Sequence, residues 1–170
     1  MQLGEIFIDS LDFARSGRRM AGVVAVHSLQ RLLDSLADGE GELTWSVRGE
    51  VVIDDIGQSQ AYLVIEVGGE ICLACQRCLG AFPYRVATDS RLLLVPPGKP
   101  WPEDVPEDLE RDSPDPIEAL AEQSLLDLVE DEVLLSLPIA PRHELCDIPD
   151  HDDGKAAVSP FAKLSQLKKH

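Results

Sequence analysis

The sequence predicts an α+β fold in which an antiparallel β-meander packs against a helix from the C-terminal half of the chain. The first observation is a strand-like composition from Leu43 to Val95, interrupted by clusters of turn residues. The second is a strongly apolar helical face between Leu125 and Leu137, which another element must cover. A chain of 170 residues is long enough for one core. We therefore expect a single domain over residues 1–170.

Short elements are predicted before the meander. Gly4–Ser10 alternates in the manner of a strand, and Arg15–Arg19 is expected to be a basic loop. Ser28 can cap a short flanking helix that Gly39 terminates. The apolar stripe of that helix would comprise Leu29, Leu32, Leu33 and Leu36.

The meander is predicted from runs of β-branched and aromatic residues. Turn residues separate these runs at Asp54–Gly57 and at Gly68–Gly69. The predicted strands cover residues 44–48, 51–53, 61–67, 70–75 and 84–95.

An acidic, proline-rich linker is predicted over residues 96–116. This stretch holds seven of the twelve prolines of the chain. Since proline removes a backbone donor and fixes φ, we expect an extended, mobile segment there rather than a regular element.

The helix from Leu125 to Leu137 has the clearest pattern in the sequence. Ser124 is a suitable N-cap, and Asp127, Glu130 and Asp131 group on the side opposite the leucines and valines. Glu132 instead projects from the apolar arc, where a carboxylate needs a partner. We expect a structural ion pair between Glu132 and Arg77. The alternative is a slightly rotated helix that brings Glu132 to water.

A basic tail follows over residues 159–170. Ser159 can cap a short amphipathic helix in which Phe161, Leu164 and Leu167 lie on one side.

Two separated pairs of soft-metal ligands predict a candidate zinc site. Cys75 and Cys78 have a two-residue gap, and His143 and Cys146 repeat it far downstream. If the pairs meet, the four residues can form a closed tetrahedral site. Cys72 is an alternative ligand, because it stands three residues before Cys75.

Two other interpretations of the cysteines remain open. The thiols can be unliganded groups in a packed sheet. Thioredoxin-like redox chemistry is disfavoured, because Cys75 and Cys78 follow a strand and do not open a helix.

The formal net charge of −16 is concentrated in one segment. Residues 101–153 contain 18 acidic residues and only two basic ones, Arg111 and Arg142. A negative field of this size repels phosphate backbones and attracts basic partners, although such a run can also merely solvate a loop. Direct RNA contact would have to use basic residues elsewhere, chiefly Arg77, Lys163, Lys168 and Lys169.

No catalytic constellation, secretory signal or membrane-spanning run is evident in the sequence. We therefore expect a non-enzymatic protein without a membrane partner. The four cysteines do not resemble a disulfide scaffold, which favours the cytoplasm.

Three blocks of the sequence resemble the bacterial YceD family, the large ribosomal RNA subunit accumulation proteins. They are Leu73–Cys78 (LACQRC), Asp127–Pro138 (DLVEDEVLLSLP) and the ending Ser159–Lys168 (SPFAKLSQLK). The resemblance implies a role in producing, processing or stabilising 23S ribosomal RNA, with no known catalytic activity. It also implies 23S ribosomal RNA or a basic large-subunit ribosomal protein as partner.

The resemblance bears on zinc as well. Some relatives carry additional cysteines after the Leu-x-x-Pro block, whereas this chain has only His143 and Cys146 there. The competing functional hypothesis is a zinc-stapled protein-interaction adaptor that is unrelated to ribosomes.

Overall fold

A computed structural model describes residues 6–53, 57–102, 114–143 and 145–146. Its centre is a five-stranded sheet in the order β2-β3-β4-β5-β6, and β1 and β7 form a separate two-stranded pair. The α+β class is confirmed. The strands are β1 (Phe7–Ile8), β2 (Arg19–Ala25), β3 (Glu42–Ile53), β4 (Ser59–Ala74), β5 (Ala81–Val95), β6 (Asp115–Glu118) and β7 (Gln123–Ser124), and the helices are α1 (Ser10–Arg15) and α2 (Leu125–Ser136).

The antiparallel meander is confirmed, but the division into strands differs from the prediction. Predicted strands 44–48 and 51–53 belong to one strand, β3, and 61–67 and 70–75 to one strand, β4. The predicted turn at Gly68–Gly69 is wrong, because both glycines lie within β4 and pair with the strands on either side. β2 to β5 pair antiparallel in sequence order, and the β4–β5 ladder runs from Tyr62↔Leu93 to Ala74↔Ala81. β2 was not predicted as a strand. It forms because Met20, Gly22 and Val24 face the covered side of the sheet next to β3.

α2 covers one face of the sheet at β4 and β5, as the apolar pattern predicted. Ser124 is its N-cap, and the side-chain oxygen accepts the N–H of Asp127. Leu125, Val129 and Val133 are fully buried. At the other end, the Tyr84 hydroxyl donates to the carbonyl of Ser136 at 2.7 Å, which ties the helix to β5.

The N-terminal elements differ from the prediction. Within the described residues, the predicted strand at Gly4–Ser10 is reduced to Phe7–Ile8, and α1 begins at Ser10. Asp9 caps this helix by accepting the N–H of Asp12 at 2.8 Å. α1 crosses β3 so closely that a Cβ at Gly49 would lie 2.5 Å from Ala14 Cα, so only glycine fits there.

The predicted helix from Ser28 to Leu36 is wrong. The segment instead forms 3-10 turns at Val26–Ser28 and Leu33–Ser35. The leucine stripe is buried as expected at Leu29 and Leu32, but the Glu130 carboxylate accepts the N–H groups of Arg31 and Leu32. Those donors are thus unavailable to the i−4 carbonyls that an α-helix requires.

The predicted linker also ends earlier than expected. Asp115 and Pro116 belong to β6, which pairs parallel with β5 and is the exception in an otherwise antiparallel sheet. Pro116 is tolerated because β6 is an edge strand, where a missing N–H does not interrupt a ladder. Residues 103–113 of the linker lie outside the described residues, as do residues 147–170, which include the predicted basic tail at 159–170.

Candidate metal centre

The Cys75 and Cys78 pair lies in the hairpin loop that joins β4 to β5. The Cys75 N–H donates to the carbonyl of Gly80 at 2.9 Å, and the Leu79 N–H donates to the carbonyl of Cys75 at 2.8 Å. Leu79 has φ of 61°, a left-handed conformation that costs about 1–2 kcal/mol in a residue with a side chain. This tight turn brings both cysteines to the same side of the loop.

The His143 and Cys146 pair follows the end of α2. The chain leaves the helix through Pro138 and returns to the hairpin loop, where the Gln76 N–H donates to the carbonyl of Pro141 at 2.8 Å. The ring of Phe82 packs 5.1 Å from that of His143. These contacts bring the two halves of the predicted site together.

The four ligand atoms lie within 4.8 Å of one another. Cys75 Sγ is 3.5 Å from Cys146 Sγ, and His143 Nδ1 is 3.4 Å from Cys78 Sγ and 3.7 Å from Cys146 Sγ. Tetrahedral zinc, with bonds of about 2.3 Å to sulfur and 2.0–2.1 Å to nitrogen, holds neighbouring ligand atoms roughly 3.5–3.8 Å apart. The donor set and its spacing therefore fit zinc.

The orientation of His143 supports a ligand role for Nδ1. Its Nε2 lies 3.2 Å from the carbonyl oxygen of Ala81. A carbonyl accepts only, so Nε2 carries the proton and Nδ1 presents its lone pair to the sulfurs. Metal-binding histidines are commonly fixed in this way through their second nitrogen.

The thiols have unequal proton affinities. Burial alone would raise the pKa of Cys75, but interactions with the backbone N–H groups of Cys78, His143 and Arg77 lower it to about 5. For Cys146, burial and the nearby sulfurs of Cys75 and Cys78 raise the pKa to about 11. One thiolate is thus stabilised by the loop, whereas further negative charge in the cluster requires a cation.

Cys72 does not belong to the cluster, so the alternative ligand set is not formed. It pairs with Pro83 in the β4–β5 ladder, and successive side chains of a strand point to opposite faces. Cys72 therefore lies on the face of β4 opposite to its buried neighbours Ile71 and Leu73. Gly80, by contrast, packs against the cluster, since a Cβ there would lie 3.4 Å from Cys78 Sγ.

The predicted ion pair between Glu132 and Arg77 is not formed. Glu132 is buried, as its place on the apolar arc predicted, but its carboxylate accepts a hydrogen bond from the hydroxyl of Ser90. Arg77 is exposed in the hairpin loop and contributes its backbone N–H to Cys75 Sγ at 3.4 Å. Its side chain projects from that loop into solvent, whereas Glu132 faces β5.

Lys163, Lys168 and Lys169, the other residues predicted for RNA contact, lie outside the described residues. Arg77 alone of that set is placed by the structure, and its exposure leaves the guanidinium accessible.

Glu130 has a structural role that the sequence pattern missed. The pattern placed it on the polar side of α2, yet only 4% of its side chain is exposed. It accepts from the Arg31 guanidinium at 2.8 Å and from two backbone N–H groups of the Leu29–Leu33 turn. No local signal reveals this, because the partners lie almost a hundred residues away.

Comparisons with known proteins place the chain in a family. Residues 63–168 match the family model described as "Large ribosomal RNA subunit accumulation protein YceD". The protein of that name from Haemophilus influenzae is 27% identical over 179 aligned positions, which cover 95% of this chain and 94% of the relative. No solved structure matches significantly. The matched region contains both halves of the metal-ligand cluster and all of α2, and the chain belongs to the YceD family.

Proposed function

We propose that this protein is a non-enzymatic factor that supports the accumulation of 23S ribosomal RNA of the large ribosomal subunit. The observation that carries the proposal is family membership, because the family and the relative from Haemophilus influenzae are both named for this role. Such a factor would act in the cytoplasm, where ribosomes are assembled. No helix in the described part of the chain is long and apolar enough to cross a membrane.

We further propose that it acts through a basic protein partner of the large subunit rather than by direct contact with RNA. The supporting observation is a groove of about 930 Å³ on the open face of the sheet. Its charged lining residues are four acids, Glu42, Glu66, Glu70 and Asp89, and one base, Arg85. This charge attracts a cationic segment and repels phosphate.

Three of the nine arginines in the described residues are already paired with carboxylates. Arg31 pairs with Glu130 and Asp131, and Arg48 and Arg91 share Glu50. An arginine that is already held by a carboxylate offers less net positive charge to a phosphate backbone. For these three arginines, the pairing favours the protein-mediated route.

The cellular role is tested by deleting the gene. We expect the ratio of mature 23S to 16S ribosomal RNA to fall, and a plasmid copy of the wild-type gene to restore it. An unchanged ratio under conditions of rapid growth would overturn the proposed role.

The route is tested by matched charge variants. We expect the double substitution Glu42→Gln and Glu70→Gln to weaken binding of purified basic large-subunit proteins, and moderate salt to have the same effect. The control, Glu118→Gln with Glu122→Gln, removes two exposed acids outside the groove. If RNA is contacted directly, the groove variant will bind 23S RNA as well or better, and loss of Arg77 and the tail lysines will weaken that binding.

We also propose that Cys75, Cys78, His143 and Cys146 hold a structural zinc ion. The four side chains can supply all four ligands of a tetrahedral zinc ion and would leave no coordination position for water or substrate, which is typical of structural rather than catalytic zinc. The ion would hold the β4–β5 loop and the segment after α2 together. Elemental analysis of the purified protein will show zinc bound in an equimolar amount, and metal-free protein with full stability would contradict the assignment.

A further inference from the structure

An apolar groove of about 470 Å³ lies between the end of α2 and the hairpin loop of the metal centre. Three of the large apolar side chains that line it are strongly exposed. Leu79 is 83% exposed, Leu135 78% and Ile139 100%. Contiguous exposed residues of this kind indicate a surface that another element covers.

The conformation of Leu79 adds a second observation. Its left-handed φ of 61° is common for glycine and tolerated by asparagine and aspartate, yet here the position carries a large apolar side chain at the rim of the groove. A hairpin loop that only served to position Cys75 and Cys78 would be satisfied by a small polar residue at this point. An apolar contact with a further segment would compensate the cost of this side chain.

We propose that the groove is occupied by the C-terminal segment of the same chain, residues 159–169. The sequence of this segment repeats apolar residues at intervals of three, Phe161, Leu164 and Leu167, which is the spacing of a helix that docks into an apolar groove. The inference is independent of the ribosomal role.

The end of the described chain favours this occupant. Cys146 is the last described residue, and its sulfur lies 3.5 Å from that of Cys75, which itself lines the groove. Only residues 147–158 separate Cys146 from Ser159. A linker of this length spans on the order of 20 Å as a flexible chain, and a short tether gives an effective concentration in the millimolar range.

Charge is also complementary. The charged residue that lines the groove is Asp34, and the chain from Ser159 to His170 contains three lysines and no acid. The lysines, Lys163, Lys168 and Lys169, can reach the rim while the apolar side is buried.

The test is amide hydrogen exchange on the full-length protein. We expect amides in residues 161–168 to exchange at least about ten-fold more slowly than in an unstructured peptide. Ile139→Asp in the groove and Phe161→Asp in the tail should each abolish that protection. Ile53→Asp is the matched control, because Ile53 is 71% exposed and does not line the groove.

Three results would overturn the proposal. The tail could exchange at the unstructured rate in the wild-type protein, or its protection could survive Ile139→Asp. Protection that increases with protein concentration would instead place the tail of a second copy in the groove.

Discussion

At the scale of single residues, two carboxylates of α2 are buried in contrasting ways. Glu130 receives a guanidinium and two backbone N–H groups, whereas Glu132 receives the hydroxyl of Ser90. Burial is the main reason why the pKa of Glu132 is raised, and the hydrogen bond from Ser90 offsets it only in part. Repulsion from Asp115 and Asp131 raises this pKa further.

This difference predicts how Glu132→Gln changes the pH dependence of stability. A carboxyl group whose folded pKa exceeds its unfolded value of about 4.3 stabilises the fold fully below that value, and the contribution is lost as pH rises through the folded pKa. Glutamine has no charge to desolvate and can still accept from Ser90. We expect Glu132→Gln to be more stable than wild type at pH 7 and to depend less on pH above about 4.5.

Urea unfolding at several pH values measures this effect. Glu122→Gln is the control, since Glu122 is an exposed glutamate that precedes the same helix. A Glu132→Gln variant that is less stable than wild type at neutral pH would show that the charge of Glu132 is favourable.

At the scale of elements, Glu130 fastens α2 to the turn that contains Leu29 and Leu32. Both leucines are fully buried. If Glu130 is removed, the Arg31 N–H loses its carboxylate acceptor, and the Leu32 N–H keeps only its 3.2 Å hydrogen bond to the carbonyl of Leu29. The neighbouring Asp131 binds the same arginine, but about half of its side chain is exposed. The two acids therefore provide a matched comparison within one helix.

We expect Glu130→Ala to lower the free energy of unfolding by about 1–3 kcal/mol, because the Arg31 N–H and guanidinium lose a charged acceptor that lies almost fully buried. Asp131→Ala should cost less than about 1 kcal/mol, as is usual for exposed ion pairs. Chemical denaturation of both variants measures the difference. Equal losses would mean that the arginine, and not the buried backbone, carries the interaction.

At the scale of the whole molecule, the metal-ligand cluster joins parts of the chain that are far apart in sequence. The hairpin loop belongs to the sheet, and His143 and Cys146 belong to the segment after α2. An ion at this position would restrain both, so its binding free energy would contribute to folding.

This arrangement predicts different outcomes for two cysteine variants. Loss of a residue that only hydrogen-bonds to a ligand lowers metal affinity roughly 10–100-fold, and we expect Cys78→Ser, which removes a ligand, to lower zinc affinity by more than that. Its melting temperature should fall toward that of chelator-treated wild type. Cys72→Ser should keep the metal, because Cys72 lies outside the cluster. Metal analysis and thermal unfolding with and without chelator measure both effects. Equal metal loss in the two variants would contradict the assigned ligand set.

Local patterns in the sequence determined the meander, the cap of α2 at Ser124 and the apolar side of that helix, because neighbouring residues alone set strand alternation and helical periodicity. The spacing of Cys75, Cys78, His143 and Cys146 also indicated the cluster, since each pair has a ligand gap that a short turn can close.

Only the tertiary structure decided the partners of the charged residues and the conformation of the 28–36 segment. Glu130 lies 99 residues from Arg31, and Glu132 lies 42 residues from Ser90. A periodicity shows that a side chain is buried, but which donor it meets depends on how distant elements pack. The hydrogen bonds that Glu130 accepts therefore favour 3-10 turns where the sequence predicted a helix. Glu132 accepts from Ser90, and the predicted pair with Arg77 is not formed.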